Sequence, residues 1–557
     1  MRAARRADVL AISLLMLLPL LWFAPHVIGG RTLLPADNLF GFEPWRSYAA
    51  EFGVGTPHNA LISDLILENH TWKTLIREAL AAGDPGAILW NPRNFAGSPF
   101  LAAGQQSALY PLSLVFYVLP LWLAYGVFTW LQLGLAAVSM YVLARVLGLR
   151  PLAAVFSAIT YAFSGFFIVS VNFTMIIAAA AWLPLLLACI EVIFRKQEQK
   201  GRARYSPVPY VAAGALVLGI QVLAGHVEIT YYALLVSAFY ALFRLAIVWR
   251  RLRSRSVILR LTGWLTLMMV LGLALGGVQL LPLYELVREN FREGSASLQQ
   301  IREWAWPSRQ IITFLLPDAF GNPTHHSYFD IWAGAWRAVT VNALGEPLDT
   351  IDWGVKNYVE GANYLGLPAL ALALLAVGSA VTRWLRRRNE ISGGADGHPQ
   401  WPIACFGLLA VISLLLAFGT PLYALLYYAL PGFSQLHSAF RWVLPYTLSM
   451  AVLAGIGLEM LTGAVRLSWR RTAASAAGAV GIGSLGVVAL SRLAPGPFVA
   501  LGERLLAASD LARARGFADG AMAWSYEATG LARFGILALG LAVALALTGA
   551  RSRLWAA

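Results

Sequence analysis

Apolar residues run along this chain in long blocks with short polar punctuation, and twelve blocks are long enough to cross a hydrocarbon core of about 30 Å. They lie near residues 9–28, 121–146, 151–170, 174–194, 208–224, 228–249, 257–283, 360–382, 402–418, 442–464, 473–493 and 529–549. Each is expected to be helical, because lipid offers no partner for an unpaired backbone group. The pattern therefore predicts an all-α polytopic membrane protein with about twelve transmembrane helices. Between the blocks, residues 61–80 repeat apolar positions at helical spacing with polar residues opposite, which predicts an amphipathic helix along the interface. The stretch 109–122 is apolar but too short and too interrupted by proline to span. It reads as a re-entrant or interfacial piece leading into the second span.

Charge gives the threading a direction. Arg145 and Arg150, the run 195–204, RRLRSR at 250–255, RWLRRR at 383–388, Arg466, Arg470, Arg471, Arg551 and Arg553 all fall on one side of the threaded chain. The positive-inside rule makes that side, and both termini, cytoplasmic. The opening MRAARR and its apolar run resemble a secretory signal, but no small-residue cleavage site follows, so an uncleaved first helix is expected. The organisation is then a first transmembrane helix at 1–29, a long outer loop at 30–120 and helices two to seven at 121–284. A second long outer loop follows at 285–357, then helices eight to twelve at 358–557, with a small outer loop at 495–527 that reads as a short amphipathic helix. The setting is expected to be a membrane that the chain crosses many times.

Composition narrows the class. The chain has 557 residues, 59% hydrophobic and only 13% charged, which excludes a soluble enzyme and a disordered chain. The net charge of +14 sits in short loops rather than on a basic face, so nucleic acid is not an expected partner. Cys189 and Cys405 each lie within an apolar block and suggest neither a disulfide framework nor a thiolate metal site.

Chemistry is expected on the long outer loops, where polar residues meet the membrane edge. Asp37 stands about ten residues beyond the first span. An acid there could serve as general base towards a membrane-bound substrate, although Pro-Ala-Asp-Asn is also good turn chemistry. Asp64 and Glu68 are four apart and share one helical face. His226 and Glu228 occupy a very short turn between spans, where ionisable groups either face the bundle or snorkel outwards. Arg441 opens a span on the outer side, against the charge rule, so an anionic partner is expected. Glu285, Arg288 and Glu289 begin the second loop, and a surface ion pair among them is the default reading. Outer tryptophans such as Trp90, Trp306, Trp332 and Trp336 suit an aromatic belt, though sugars also stack on such rings. His325 and His326 beside Asp318 and Asp330 match no standard ligand spacing, so no metal and no cofactor is expected.

The first loop carries a resemblance. GRTLLPADNLFGFEPWR, the acids Asp37 and Asp64, WNP at 90–92, Gly97 and Pro99, and Gln106-Ser107 followed by Tyr110-Pro111 resemble the N-terminal signature of the bacterial YfhO family. AGH at 224–226, LLPDAFGNP at 315–323, NYLGLPALALALL at 363–375 and FRW before VLPYTLSM extend it in family order. That family looks like a branch of the GT-C glycosyltransferases. The resemblance implies a GT-C-like fold with two structured outer loops and a polyprenyl-phosphate-linked sugar as donor. It further implies a cell-envelope glycan or polymer as acceptor, reached on the outer face of the membrane. It maps the base onto Asp37, with Asp64 as a second acid. Substrate contacts would fall to Asn91, Gln106, His226, Glu228, Arg288 and Arg441. The chain departs from its relatives at His70-Thr71-Trp72 after the second acid and at Val227-Glu228 after AGH. Two other classes compete: a transporter or flippase of a lipid-linked precursor, and a non-catalytic envelope-assembly protein.

Overall fold

The computed structural model describes residues 2–94, 96–198, 206–289, 296–387, 400–436, 438–462 and 467–554. Arg388, Arg466 and residues 199–204 of the basic run at 195–204 lie outside them. Among the described residues all twelve apolar blocks fold mainly as helix, the block at 360–382 only from Leu367 onwards. Eight helices are long and apolar enough to cross a membrane, from Leu121–Leu147 to Gly520–Leu547. Three shorter apolar helices, Pro151–Ala162, Val208–Leu223 and Trp401–Ala417, and the opening helix Arg2–Trp22 account for the other blocks.

Four blocks are divided, at Phe23, Ser164, Ala181-Trp182 and Gly276, and two of these breaks matter here. Ser164 stops 151–170 after Ala162 because its hydroxyl caps the short helix Gly165–Val169, accepting from Phe167 N. The block at 257–283 becomes Arg255–Leu275 and Gly277–Arg288, joined at Gly276. In the first outer loop the amphipathic segment starts as a single π-turn, Leu65–Asn69, and continues as the helix His70–Ala81. The stretch at 109–122 holds the helix Leu114–Val118, whose Phe116 is fully buried. The second outer loop contains the antiparallel hairpin Ser327–Asp330 with Ala335–Ala338, and the third holds the helices Pro495–Ala508 and Asp510–Arg515.

The chain divides into two compact units. The first comprises 1–35, 64–305 and 373–456. Its centre is Leu121–Leu147, against which Arg2–Trp22, Pro151–Ala162 and Leu183–Glu198 pack. A buried ion cluster ties two of its helices: Glu191, 1% exposed, lies 2.8 Å from Arg244, 2.9 Å from Arg195 and 3.0 Å from the Tyr240 hydroxyl. Arg244 also stacks on Trp401, 4.4 Å from the ring centre. Charges this deep persist only when paired and hydrogen-bonded.

The second unit comprises 36–63, 306–372 and 457–557. Leu467–Leu493 and Gly520–Leu554 pack along their length, and the hairpin strand Ser327–Asp330 lies on the latter helix. Ile351, Trp353, Phe517 and Ala523 form its outer core. The division between the units falls inside the helices Leu367–Arg387 and Val443–Thr462.

Candidate functional site

In the first unit, two loops meet backbone to backbone. Gly104 and Gly225 both have left-handed φ, +79° and +85°, and a Cβ placed on Gly225 would fall 2.0 Å from the Gly104 carbonyl oxygen. Ser107 Oγ donates to the Ala224 carbonyl at 2.6 Å, and Gln279 Nε2 donates to that of Leu101 at 2.7 Å. Gln106, 1% exposed, donates its amide to the Phe100 carbonyl, and Lys73 Nζ donates to the Gln106 carbonyl. Gln106 is thus a strut within the loop, and its side chain is occupied there.

Lys73 is itself buried, with its ammonium 4.6 Å from the Phe116 ring centre, and desolvation pushes its pKa down to about 7. An unfolded lysine titrates near 10.4, so between the two values the unfolded chain binds a proton that the folded one lacks. Stability therefore rises with pH across that window. Thermal unfolding of wild type is expected to shift upwards from pH 6.5 to pH 9, and Lys73→Met is expected to remove that shift.

The loop crossing delivers His226 to the start of the helix Val227–Leu252. His226 Nδ1 accepts from Ile229 N at 3.2 Å and caps the helix. Its Nε2 lies 3.2 Å from Arg441 Nη1, and Arg441 Nε lies 2.9 Å from Glu228 Oε2. The structure thus brings together three of the residues that the sequence singled out. The anion expected for Arg441 is Glu228, about two hundred residues away in sequence. A neutral imidazole has one acceptor nitrogen, so it serves Ile229 or Arg441 but not both. One donor at the His226 ring is therefore left unanswered, and Glu228 Oε1, also buried, accepts no hydrogen bond from any described residue.

The remaining first-unit candidates stand apart from this cluster. Asp64 is exposed at the start of the π-turn. Burial raises the pKa of neighbouring Glu68, and the Asp64 charge raises it further. Glu68, His70, Trp72, Asn91 and Arg93 line an open groove of about 640 Å³. Asn91 Oδ1 accepts from Arg93 N, which makes it a turn residue at the groove edge. Arg288 is exposed, with its guanidinium 5.8 Å from the Tyr284 ring centre.

Asp37 belongs to the second unit. It lies in the 3₁₀ turn Ala36–Gly41, and its Oδ2 accepts from His58 N at 2.7 Å. The His58 carbonyl lies 2.9 Å from His326 Nε2, which joins the Asp37 loop to the second outer loop. There His325 Nδ1 lies 2.8 Å from the Tyr526 hydroxyl, and desolvation lowers the pKa of His325. Asp318 accepts from Tyr358 at 2.8 Å and Asn322 at 3.2 Å, with Arg533 at 3.5 Å. Asp330 turns away to pair with Arg337 at 2.8 Å. Among the described residues no group of three or more His, Cys, Asp or Glu is arranged to hold a metal ion. Tyr526 and Glu527 escaped the sequence reading, which gave the segment around them no chemistry. The signal was an acid at the outer end of an apolar helix.

The motif residues Gly104, Gln106, Ser107 and Ala224 to His226 form one built crossing, and comparison with known proteins bears on that segment. Residues 104–321 match the family model of the bacterial membrane protein YfhO. The YfhO match takes in Gln106, His226, Glu228 and Arg288, while Asp37, Asp64, Asn91 and Arg441 lie outside it. With its apolar helices, it makes this chain an integral membrane protein. No curated protein matches the chain. Among solved structures, that of ArnT from Cupriavidus metallidurans bound to undecaprenyl phosphate is 15% identical. The alignment covers 96% of this chain and 77% of that one, with a TM-score of 0.40. A superposition this loose sets no residue of one chain against a residue of the other.

Proposed function

We propose that this protein is a membrane glycosyltransferase of GT-C type. It moves a sugar from a polyprenyl-phosphate-linked donor to a cell-envelope acceptor on the outer face of the membrane, with both termini in the cytoplasm. The YfhO match supports this reading, and the observation that carries it is the unanswered donor where Arg441 meets the His226 ring. One carboxylate, Glu228, answers Arg441, while His226 cannot satisfy both of the donors that face it. An anionic oxygen relieves such a site, and a phosphate does so with charge-assisted hydrogen bonds.

In this reading the acceptor hydroxyl gives its proton to a carboxylate and attacks the anomeric carbon. The bond to the phosphate oxygen breaks, and polyprenyl phosphate leaves with the electron pair. Charge grows on the leaving phosphate, where fixed cations stabilise the transition state more than the ground state. Asp37 is the proposed base, and Asp64, in the same unit as Arg441, is the alternative.

The test is turnover of a panel of polyprenyl-phosphate sugars by protein in lipid nanodiscs, read as release of polyprenyl phosphate. Arg441→Gln is expected to weaken polyprenyl phosphate binding about tenfold, in line with loss of one charge-assisted contact. Unchanged binding would remove Arg441 from the phosphate site. Movement of substrate across proteoliposomes with no glycosidic bond formed would replace transfer by flipping.

A further inference from the structure

The second unit encloses a cavity of about 270 Å³ between the second outer loop and the outer end of Gly520–Leu554. Its polar wall carries Asp318, His325, Glu527 and Arg533, and its aromatic wall includes Phe329 and Trp336. Those two rings are cross-strand partners in the hairpin, 5.8 Å apart and edge to face. Trp336 is 64% exposed, so an indole face stands free for a ligand. Glu527 Oε1 is buried and accepts no hydrogen bond from any described residue. A buried acceptor without a donor is costly and asks for one from outside the chain.

The lining discriminates between kinds of ligand. A phosphate or carboxylate would meet two acids, while the one arginine on the wall already faces Asp318 at 3.5 Å. A purely apolar ligand would leave Glu527 unsatisfied. A metal ion finds no ligand cluster among the described residues. A neutral polyhydroxyl ring fits both walls, since its hydroxyls donate to the carboxylates and its C–H face lies against an indole. The volume lies just below that of most small-molecule sites, which run from about 300 to 1,000 Å³. The volume suits about one ring.

We propose that this cavity is a saccharide subsite that holds one sugar ring of the acceptor. It rests on the transferase reading for the word acceptor, and on the cavity alone for the ligand class. The loop carrying Asp37 docks on His326, next to the cavity residue His325, so the proposed base and the subsite belong to one built region.

The test is saturation-transfer NMR and titration of nanodisc-embedded protein with the methyl glycosides of glucose, galactose and N-acetylglucosamine. At least one is expected to bind, and Trp336→Ala and Glu527→Gln are each expected to weaken it about tenfold or more. Trp336 is exposed enough for its removal to leave the fold standing, so that variant remains informative if Glu527→Gln fails to fold. Absence of saturation transfer from all three glycosides, or titrations unchanged in the folded variants, would overturn the subsite. Sugar binding without release of polyprenyl phosphate from any donor would sink the transfer reading and leave the subsite standing. Donor turnover by a protein that binds none of the three would do the reverse.

Discussion

Asp37→Asn is expected to cut polyprenyl phosphate release by a factor of about 10² to 10⁴ while the protein still inserts and folds. The size follows from losing a positioned base, and the intact fold follows from what Asp37 does structurally. Its one described hydrogen bond is accepted, from His58 N at 2.7 Å, and the Oδ1 of asparagine accepts the same bond. The turn is kept and the proton acceptor is lost. Asp64→Asn is the paired measurement, because Asp64 is exposed and anchors nothing by its side chain in the π-turn that follows. Full activity in Asp37→Asn together with loss in Asp64→Asn would move the base to Asp64. Full activity in both would end the assignment of a base to the first loop.

Gly225→Ala is expected to destabilise the protein by about 3 kcal/mol or more, among the larger effects of a single substitution. Two costs combine. A non-glycine residue at φ +85° is strained by about 1–2 kcal/mol, and its Cβ would stand 2.0 Å from the Gly104 carbonyl oxygen. That oxygen is backbone and moves only if the whole crossing opens, which takes the Ser107 to Ala224 hydrogen bond with it. Gly83→Ala separates the terms: Gly83 has φ +69° with nothing within 4 Å of a built Cβ, so it should cost the strain alone. Thermal unfolding of both variants in one lipid mixture measures the difference. Equal losses would mean that the crossing yields more easily than its geometry implies.

Most of the membrane architecture was legible because hydropathy is a local property. Each of the twelve apolar blocks is mainly helical over its described residues, and the amphipathic repeat at 61–80 folds as Ala60–Ile62, Leu65–Asn69 and His70–Ala81. The breaks were less legible, because Ser164 and Gly276 act through caps and joints that a hydropathy window averages away. Clusters were harder still. Arg441 advertised a missing anion through its place in the charge pattern, but nothing in the spacing pointed to Glu228. Asp318 and Glu527 stand about two hundred residues apart and become neighbours only when the second unit closes. Asp37 and Asp64 read as two acids of one loop, yet the boundary between the units passes immediately before Asp64.

The make-up of the second unit has a consequence for how the protein is made. Residues 36–63 belong with 457–557, so a segment waits for partners made about four hundred residues after it. At a synthesis rate of about 5–20 residues per second the delay is roughly 20 to 80 seconds. Throughout that interval Asp37 has no finished surroundings, while the earlier helices of the first unit are already available to insert and pack. The nascent protein thus acquires its anchor well before the setting of its proposed base, and any chemistry at Asp37 is withheld until residues 457–557 have been made.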